Sequence, residues 1–588
     1  MRRRLGALES LVDKSKAYDS IARECHMRKA VLVYLLAGVV CFPGGMVLAQ
    51  MPDSPMPPAT PETLAGWAKG ARLFNGLGTF HRKVTTRLPL AQRYFDQGMR
   101  FIWAFNHDEA TRSFAKAAEI DPTCASCYWG VALTLGPNYN MPMMSSARAR
   151  VGLEALQKAR ANAKHAAPVE RGLIEAAAKR YAGAKQVDPS NSKPLLSAYV
   201  KAMKAVAARY PNDLDVRTMY AEGLMNTNPW KLWNADGTQN PGTQQVLDEL
   251  QYVLKHDPLH PGANHYYIHA IEASPHPEYA LASAEALQDM MPAAGHIDHM
   301  PSHILQRIGR YEEAAEANRK GAAADLAYLK ETAPPDYYPM YLIHNFQFLG
   351  NAAGMEGRRA ETITALREAR AHIPDSMLLA MPGFDWGASF IYDGYTKFGM
   401  WDDMLKEPAP SSKLPGATIS YLQSRATALA ATGKVDEAKA ELAKAASLIA
   451  AVPADATQGN NSAKPLYEIG QLKAKARVAS AEGKRDEAIR LLTDAVRAED
   501  KLAYDEPNDM IFPTRHLLGA ELLAAAKPSE AEAVYREDLK RHPNNGWAYF
   551  GLSRAFAAQT KVTDAALANK AFESAWSHAD VHLTSSAF

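Results

Sequence analysis

Cysteine is scarce in this sequence, which has four cysteines among 588 residues. Cys25 and Cys41 lie close to the N-terminus, and the rest of the chain has only Cys124 and Cys127. A network of disulfides therefore cannot hold a chain of this length together. Tyr128 stands where a c-type haem attachment motif needs histidine, which excludes that attachment. We expect Cys124 and Cys127 to form a disulfide or to remain as two thiols, and not to bind a metal.

An excess of charge of either sign is also absent. Lysine and arginine number 66, and aspartate and glutamate number 64, which gives a formal charge of +2. Because the basic residues are spread thinly along the chain, nothing predicts a nucleic-acid-binding surface. Strand-like alternation is scarce and alanine is abundant. With 47% hydrophobic residues, the composition predicts an all-α protein with a large buried core.

The apolar run near the N-terminus is short. Ala30–Phe42 has about thirteen residues, whereas a membrane-spanning helix needs about twenty. Met27-Arg-Lys precedes this run and Val47-Leu-Ala49 follows it, a pattern typical of an export signal over residues 1–49, with Met27 as an alternative start. We therefore expect a periplasmic or secreted protein with no stable membrane span after signal cleavage. An uncleaved signal anchor is the alternative.

Several catalytic motifs are missing. The sequence has no Walker loop, no glycine-rich dinucleotide-binding turn after a strand and no G-x-S-x-G elbow. His265 and His269 have the spacing of a metalloprotease helix, but Tyr266 stands where those helices carry glutamate. Any chemistry of this chain would therefore have to be assisted by a metal ion in some other arrangement.

What the chain does have is a repeat. Small and large residues recur at the offsets of the tetratricopeptide pattern, which is about 34 residues long, at Tyr94, Gly98, Phe101, Ala110, Phe114, Ala117 and Pro122. Further copies are marked by Gly309-Arg-Tyr, Gly357-Arg-Arg, Gly433-Lys-Val, Gly483-Lys-Arg, and Gly519 with Tyr535. The pattern predicts a tetratricopeptide-type α-solenoid, a right-handed superhelix of antiparallel helix pairs with a concave groove.

The repeats suggest a division of the chain. We predict a Pro-rich leader and N-terminal segment over 50–90, an N-terminal solenoid with a histidine-rich concave face over 91–390, and a C-terminal solenoid over 391–588. Asn226–Gln245 interrupts the repeat, so we expect a loop between the two helices of one repeat. We expect its tryptophans to pack on the solenoid, with capping of the groove as the alternative.

Histidine is concentrated in one part of the chain. Eight of the eighteen histidines lie between His256 and His303. Five of them form two sets with helical spacing, His265 and His269 ahead of Glu272, and His296, His299 and His303. Spacings of three and four residues place side chains on one face of a helix. Imidazoles combined with a carboxylate are what a borderline or transition metal prefers.

The repeat register directs these side chains into the groove. In the tetratricopeptide family, which this pattern resembles, the second, fifth, ninth and twelfth positions of a repeat usually line the concave face. A repeat starting at Pro261 puts His265, His269 and Glu272 at the fifth, ninth and twelfth positions, and one starting at Gly295 puts His296, His299 and His303 at the second, fifth and ninth. A repeat starting at Ile343 places His344 at the second position, and one that begins three residues after Pro211 places Glu222 at the ninth. By contrast, we expect His260 and His276, beside prolines, to lie on the surface.

Three functions fit this cluster: a metal site, a polar groove for a peptide or protein partner, and a pH sensor. We favour the metal site. Its ligands would be His265, His269, Glu272, His299, His303 and His344, with Glu222 and His296 as neighbours that orient them. Such a set suits zinc, copper, iron or nickel equally well. The protein would then be a metal-dependent enzyme or metal handler, and we expect a peptide or protein partner in the concave groove, bound by the flanking repeats. The alternative is a non-catalytic scaffold that binds such a partner in the groove.

Several segments resemble a group of exported bacterial tetratricopeptide proteins with no established activity. The resemblance covers residues 75–560 and is carried by Tyr94-Phe-Asp-Gln-Gly98, Cys127-Tyr-Trp-Gly130, the run from His260 to Ala270, and His299-Met-Pro-Ser-His303. It implies a helical-repeat fold and export, but no reaction. The chain departs from the group at Met510-Ile-Phe512, where members often have tryptophan and tyrosine before Pro-x-Arg.

Overall fold

A computed structural model describes residues 60–334, 337–380 and 384–588. The predicted export signal, residues 1–49, and the beginning of the Pro-rich leader lie outside these described residues. Within them, no helix has both the length and the apolar character needed to cross a membrane.

Helices account for nearly all of the regular secondary structure of the described residues. From the N-terminal side the helices are α1 Leu64–Ala68, α2 Pro89–Trp103, α3 His107–Ile120, α4 Ala125–Leu135, α5 Ser146–Asn162, α6 Pro168–Ala177, α7 Lys193–Arg209, α8 Leu214–Met225, α9 Thr243–His256, α10 Pro261–Ile271, α11 Leu281–Leu287, α12 Gly295–His299, α13 Pro301–Arg307 and α14 Tyr311–Glu331. They continue as α15 Pro339–Met355, α16 Arg359–Ala371, α17 Asp375–Ala380, α18 Phe390–Lys397, α19 Trp401–Lys406, α20 Pro415–Ala431, α21 Val435–Ala450, α22 Ala463–Ala481, α23 Arg485–Glu499, α24 Thr514–Ala524, α25 Pro528–Arg541, α26 Gly546–Ala558 and α27 Val562–Ala575. A two-stranded antiparallel hairpin, β1 Thr457–Gln458 and β2 Asn461–Ser462, stands among them.

Successive helices pack on one another, as in α2 on α3, α14 on α15 and α26 on α27. This stacking of neighbouring helix pairs confirms the predicted all-α, tetratricopeptide-type solenoid. The predicted boundary between two solenoids at residue 390 remains a prediction. Side chains from beyond it do contact earlier repeats; Trp547 Nε1, for example, donates a hydrogen bond to the carbonyl of Gly354 at 2.8 Å.

The repeat residues explain how the helices nest. The ring of Phe114 on α3 lies between Gly98 on α2 and Gly130 on α4, where a Cβ on either glycine would overlap it. Tyr535 on α25 lies in the same way between Gly519 and Gly551. Glycine at these positions lets two helix backbones approach one aromatic ring, which is how the large and small residues of the repeat act together.

Turns between paired helices also follow the sequence. Gly433, after α20, has φ +79°, and Gly483, after α22, has φ +76°. Glycine is favoured in this left-handed conformation because it has no Cβ, and it ends the first helix of each pair.

The structure corrects two details of the sequence analysis. His260 is not on the surface; it is 2% exposed, accepts the backbone N–H of Ala263 at the start of α10 and lies 3.0 Å from Asp215. Helix capping and an acidic partner make its burial favourable. The repeat expected at Ile343 begins earlier, because α15 starts at Pro339, whose fixed φ suits the first turn of a helix. The predicted starts at Pro261 and Gly295 coincide with those of α10 and α12.

We predict that Gly130→Ala destabilises the protein by about 1–3 kcal/mol, because the added methyl group overpacks the Phe114 ring. Urea unfolding followed by circular dichroism measures the change. Gly387→Ala is the matched control, since a Cβ there would lie 3.4 Å from Ile373, an ordinary contact. Equal stability of the two variants would contradict the proposed role of the glycine.

Candidate functional site

The histidine sets predicted from the sequence meet in one buried cluster. His265 and His269 project from α10, His296 and His299 from α12, and His303 from α13. Their exposed fractions are only 0 to 2%, and His344 on α15 is partly buried beside them. Five of the six imidazole rings are therefore buried, and buried ring nitrogens generally need partners within the protein.

Two of these rings are oriented by hydrogen bonds to fixed acceptors. His265 Nδ1 lies 2.6 Å from the carbonyl oxygen of Trp103, which can only accept a hydrogen bond. His299 Nδ1 lies 2.6 Å from Asn318 Oδ1, while Asn318 Nδ2 donates to the carbonyl of Ala314 and so fixes the amide orientation. In both rings Nδ1 therefore carries the hydrogen, and Nε2 is left with a lone pair directed into the cluster.

The free nitrogens converge. His265 Nε2 lies 3.1 Å from His296 Nε2, and His299 Nε2 lies 2.6 Å from His303 Nε2. His269 Nε2 is buried and has no hydrogen-bond partner among the described residues. Two lone pairs at such distances repel each other unless a proton or another cation lies between or beside them.

Glu272 joins the two histidine sets. Its Oε1 accepts a hydrogen bond from His269 Nδ1 at 2.9 Å, and its Oε2 lies 2.5 Å from His303 Nδ1. One carboxylate, 1% exposed, thus contacts a histidine of each set. Arg307 NH1 donates to the backbone carbonyl of Glu272 at 2.6 Å and helps to hold this residue in place.

A second carboxylate comes from a distant part of the chain. Glu506 lies in the loop between α23 and α24, and its Oε2 also contacts His303 Nδ1. The β1–β2 hairpin supports this loop, because the Asn460 backbone N–H donates to Asp505 Oδ2 at 2.8 Å and Asn461 Nδ2 donates to the Ala503 carbonyl at 3.0 Å. Two carboxylates therefore meet at a single ring nitrogen, which has one hydrogen to donate.

Three overlapping groups have ligand atoms within 4.8 Å of one another: His265, His269 and His296; His299, His303 and His344; and His269, Glu272, His303 and Glu506. His269 and His303 each belong to two of them. The third group differs from the other two because it contains two carboxylates.

Burial acts to lower the pKa of every imidazole of the cluster, and only the pKa of His303 lies above its usual value. The pKa values of His269 and His344 fall to about 3, with Glu506 only partly offsetting the burial. For His303, the carboxylates of Glu506 and Glu272 outweigh burial and raise the pKa to about 10. Burial, with the neighbouring Glu272, raises the pKa of Glu506. The positive charge of the metal-free cluster therefore resides on His303, whose Nε2–H donates to His299 Nε2.

The cluster lies beside a large cavity. A space of about 630 Å³ is lined by His303 and Glu506 together with Arg307, Tyr504 and Phe348, among other residues. This volume is within the range of small-molecule sites. The set of residues that contains the two carboxylates can therefore be reached by a ligand in this cavity. The set of His265, His269 and His296 cannot, since none of these three residues lines it.

Aromatic rings cover the other side. The ring centroid of Phe105 lies 4.4 Å from that of His265 and 5.6 Å from that of His269. Trp230, from the loop between α8 and α9, lies edge-on to His269 at 5.4 Å, so a tryptophan of this loop does cover the cluster. Apolar walls of this kind lower the local dielectric and strengthen the attraction between the carboxylates and a cation.

The structure brings together all but one of the predicted site residues. Glu222 belongs to none of the three groups; its Oε1 accepts a hydrogen bond from Asn226 instead. His296, predicted as an orienting neighbour, stands among possible ligands, whereas Glu272 orients two rings as well as offering oxygens. Cys124 and Cys127 form a disulfide at the start of α4, away from these groups.

Sequence reasoning missed Glu506, Phe105 and Asn318. Periodicity indicates which residues of one helix share a face, but it does not show which loop reaches that face from a distant repeat. One signal for Glu506 was present: Asp505, Glu506 and Asp509 give the linker between two repeats an unusual density of carboxylates.

Comparisons with known proteins add little. No protein-family model matches the chain, and no curated protein matches it. Among solved structures, human IFIT1 as a dimer with m7Gppp-AAAA aligns over 77% of this chain and 89% of its own, with 11% identity and a TM-score of 0.32. Yeast Tom70 aligns over 82% of this chain and 92% of its own, with 11% identity and a TM-score of 0.27. Scores this low carry no conclusion about the site.

We predict that Glu272→Gln destabilises the metal-free protein by about 1–3 kcal/mol. A carboxylate accepts one imidazole N–H with each oxygen, whereas the NH2 of an amide is a donor and cannot accept the second. Thermal and urea unfolding measure the loss. Glu278→Gln is the matched control, since Glu278 pairs with His276 at 3.0 Å on the surface, where both side chains are more than half exposed. A similar small effect in both variants would mean that Glu272 does not organise the cluster.

Proposed function

We propose that this protein binds a divalent transition-metal ion between His269, Glu272, His303 and Glu506. The observation that carries the proposal is the convergence of two buried carboxylates on the single Nδ1 of His303. A hydrogen on that nitrogen can make a well-aligned hydrogen bond to only one of the two carboxylates. A metal ion, in contrast, binds several oxygen and nitrogen ligands at once.

Charge favours this group over the two groups of three histidines. A divalent cation moved from water into a buried site carries a large desolvation penalty unless opposite charge accompanies it. Glu272 and Glu506 together supply two negative charges, so the loaded site would be neutral. Three neutral imidazoles supply none, which makes those groups weaker candidates for a resident ion.

The surrounding histidines would then orient the ligands. With the metal on His303 Nδ1, the Nε2–H of this ring donates to His299 Nε2, whose own Nδ1 is held by Asn318. A ligating histidine that donates its other nitrogen to a fixed acceptor is the usual arrangement in metal sites. His265, His296 and His344 complete the polar environment and retain nitrogens for a further ion.

The cavity supports a catalytic role. Because His303 and Glu506 line a space of about 630 Å³, a small molecule could reach the ion directly, and a bound metal would polarise it or lower the pKa of a water molecule. We therefore propose a metal-dependent enzyme, or a protein that stores or transfers the ion. Zinc, copper, iron and nickel remain alternatives for a mixed histidine and glutamate set.

A scaffold that binds a peptide along the histidine face is the weaker alternative. His265, His269, His299 and His303 are 0 to 2% exposed, because Phe105, Trp230 and Glu506 already cover them. A peptide or protein partner would have to use another surface of the solenoid, or the large cavity.

The metal proposal is tested with variants that each affect one group. The chelator-treated protein is reloaded with Zn²⁺ and measured by elemental analysis and calorimetry, and we expect one tightly bound equivalent. Glu506→Gln should weaken binding by more than about 100-fold, since a metal ligand is lost. His296→Gln and His344→Gln should change it little, and His276→Gln, on the surface, is the control.

Other outcomes would overturn the proposal. Loss of metal from His296→Gln or His344→Gln, with Glu506→Gln unchanged, would move the ion to a three-histidine group. If the wild-type protein binds none of Zn²⁺, Cu²⁺, Fe²⁺ and Ni²⁺, the cluster has no metal function. Far- and near-ultraviolet circular dichroism confirms that each variant keeps its fold.

We also propose that the protein is exported, on the basis of the predicted signal over residues 1–49. N-terminal sequencing of the protein recovered from the periplasm or medium should then begin at Gln50. Retention of the full N-terminus in a membrane fraction would instead support the signal-anchor alternative.

A further inference from the structure

A second cavity lies in the C-terminal repeats, apart from the histidine cluster. Its volume is about 140 Å³, and its walls come from α18, α20, α22, α24 and the loop that precedes α24. This is close to the size of an engineered cavity of about 150 Å³ that binds benzene, so it suits a ligand of about six non-hydrogen atoms. Unlike such an apolar cavity, it is lined by hydroxyl, amide and charged side chains as well as by apolar ones.

Lys397, the last residue of α18, is one of the residues that line this cavity. Its Nζ lies 2.7 Å from His516 Nδ1 and 3.6 Å from the ring centroid of Trp547. No carboxylate of the described residues forms an ion pair with it. Burial lowers the pKa of Lys397 well below its usual value, Asp538 opposes the change and Lys473 adds to it. A desolvated lysine beside another cation is the usual form of a nucleophilic amine.

The hydrogen-bond network fixes which nitrogen of His516 faces Lys397. His516 Nε2 lies 2.9 Å from Asp538 Oδ2 and 3.1 Å from Asn545 Oδ1. The Asn545 amide is oriented because its Nδ2 donates to the His542 carbonyl at 2.8 Å and to Asp538. Both groups in front of Nε2 are therefore acceptors, so Nε2 carries the hydrogen and Nδ1 presents a lone pair to the amine.

His516 remains a neutral base in this arrangement. Burial, reinforced by Lys397, lowers the pKa of His516 to about 4, although Asp538 opposes the change. Asp538 itself is fully buried, and His516 and His542 outweigh burial to hold its pKa well below its usual value. A hydrogen-bonded series thus runs from Asp538 through His516 to Lys397. His516 Nδ1, 2.7 Å from Lys397 Nζ, can accept a proton from the amine.

Two further cations line the same cavity. Lys473 and Arg477 are one turn apart on α22 and form no ion pair within the described residues. Asp393 and Asp509 also line it, but burial raises the pKa of each, to about 7 for Asp509. Burial thus shifts both carboxyl groups toward their neutral form, while Lys473 and Arg477 offer two cations to an anionic ligand.

We propose that this cavity binds a small 2-oxo carboxylate and that Lys397 condenses with its carbonyl group. The carboxylate pairs with Lys473 and Arg477, and the keto carbon faces Lys397 Nζ. The size of the cavity, its charge and the position of the amine all point to this class of ligand.

The reaction is a dehydration with no net oxidation. Lys397 nitrogen attacks the carbonyl carbon, and a C–N bond forms as the C=O π bond opens. His516 Nδ1 accepts a proton from the nitrogen and delivers it to the oxygen, first to form the carbinolamine and then a second time to release water. The oxygen leaves as water with both hydrogens of the original amine, and a C=N double bond joins the ligand to Lys397.

Reductive trapping tests the proposal on the full chain. The protein is incubated with pyruvate, the smallest 2-oxo acid suited to this space, reduced with borohydride and mapped by peptide mass spectrometry. We expect the adduct at Lys397 and little or none at the exposed lysines, because the neutral amine is the form that attacks a carbonyl group. Absence of an adduct at Lys397, or labelling that follows surface exposure alone, would overturn the proposal.

Matched variants separate the two parts of the site. Lys397→Arg should abolish trapping at this position, with near-ultraviolet circular dichroism as the check on folding. Lys473→Met should reduce trapping of pyruvate much more than trapping of acetone, which lacks the carboxylate, while Lys475→Met, exposed on the same helix, should leave both unchanged. Equal effects of Lys473→Met on both ligands would contradict the carboxylate subsite.

Discussion

The meeting of Glu272 and Glu506 at His303 is the constraint on which the rest of the central site depends. Two carboxylates in a dry environment repel each other and lose hydration, so they remain only where positive charge compensates them. In the metal-free protein His303 supplies that charge, and His299 and Asn318 fix the ring that carries it.

This interaction also brings distant parts of the chain into contact. Glu272 follows α10 directly, His303 belongs to α13, and Glu506 lies in a loop that the β1–β2 hairpin supports. A solenoid held only by neighbouring repeats would not need such a contact, because its stability is roughly a sum of nearest-neighbour interfaces. The cluster adds a long-range contact, so a ligand bound at its centre would contact residues from repeats far apart in sequence.

The helical-repeat fold and most of the histidine cluster could be predicted from the sequence, because both depend on residues close together in the chain. The fold follows from local rules: the Phe114 ring between two glycines, and glycine turns such as Gly433, are set by residues within one or two repeats. His265, His269, His299 and His303 could be grouped because helical periodicity and repeat register are both local. Glu506 could not, because its position depends on how the superhelix brings a late loop back to an early groove.

The burial of the cluster was beyond sequence reasoning for the same reason. Groove positions of a tetratricopeptide repeat are expected to face solvent or a partner, and nothing near His265 in the sequence predicts that Phe105 covers it. His260 illustrates the error on a small scale. Its proline neighbours suggested a surface turn, whereas a distant acidic partner, Asp215, makes its burial favourable.

The loop between α23 and α24 connects the two sites of the protein. Glu506 faces the histidine cluster and the large cavity, while Phe512, a few residues later, lines the small cavity of Lys397; Asp509 and Met510 line both. The two proposed sites differ in charge, since two carboxylates converge at His303, whereas Lys473 and Arg477 line the small cavity without an ion pair among the described residues. The two proposals thus assign ligands of opposite charge, a cation at Glu506 and an organic anion beside Lys473. Because one short loop contributes walls to both cavities, a shift of this loop on filling one site would alter the shape of the other.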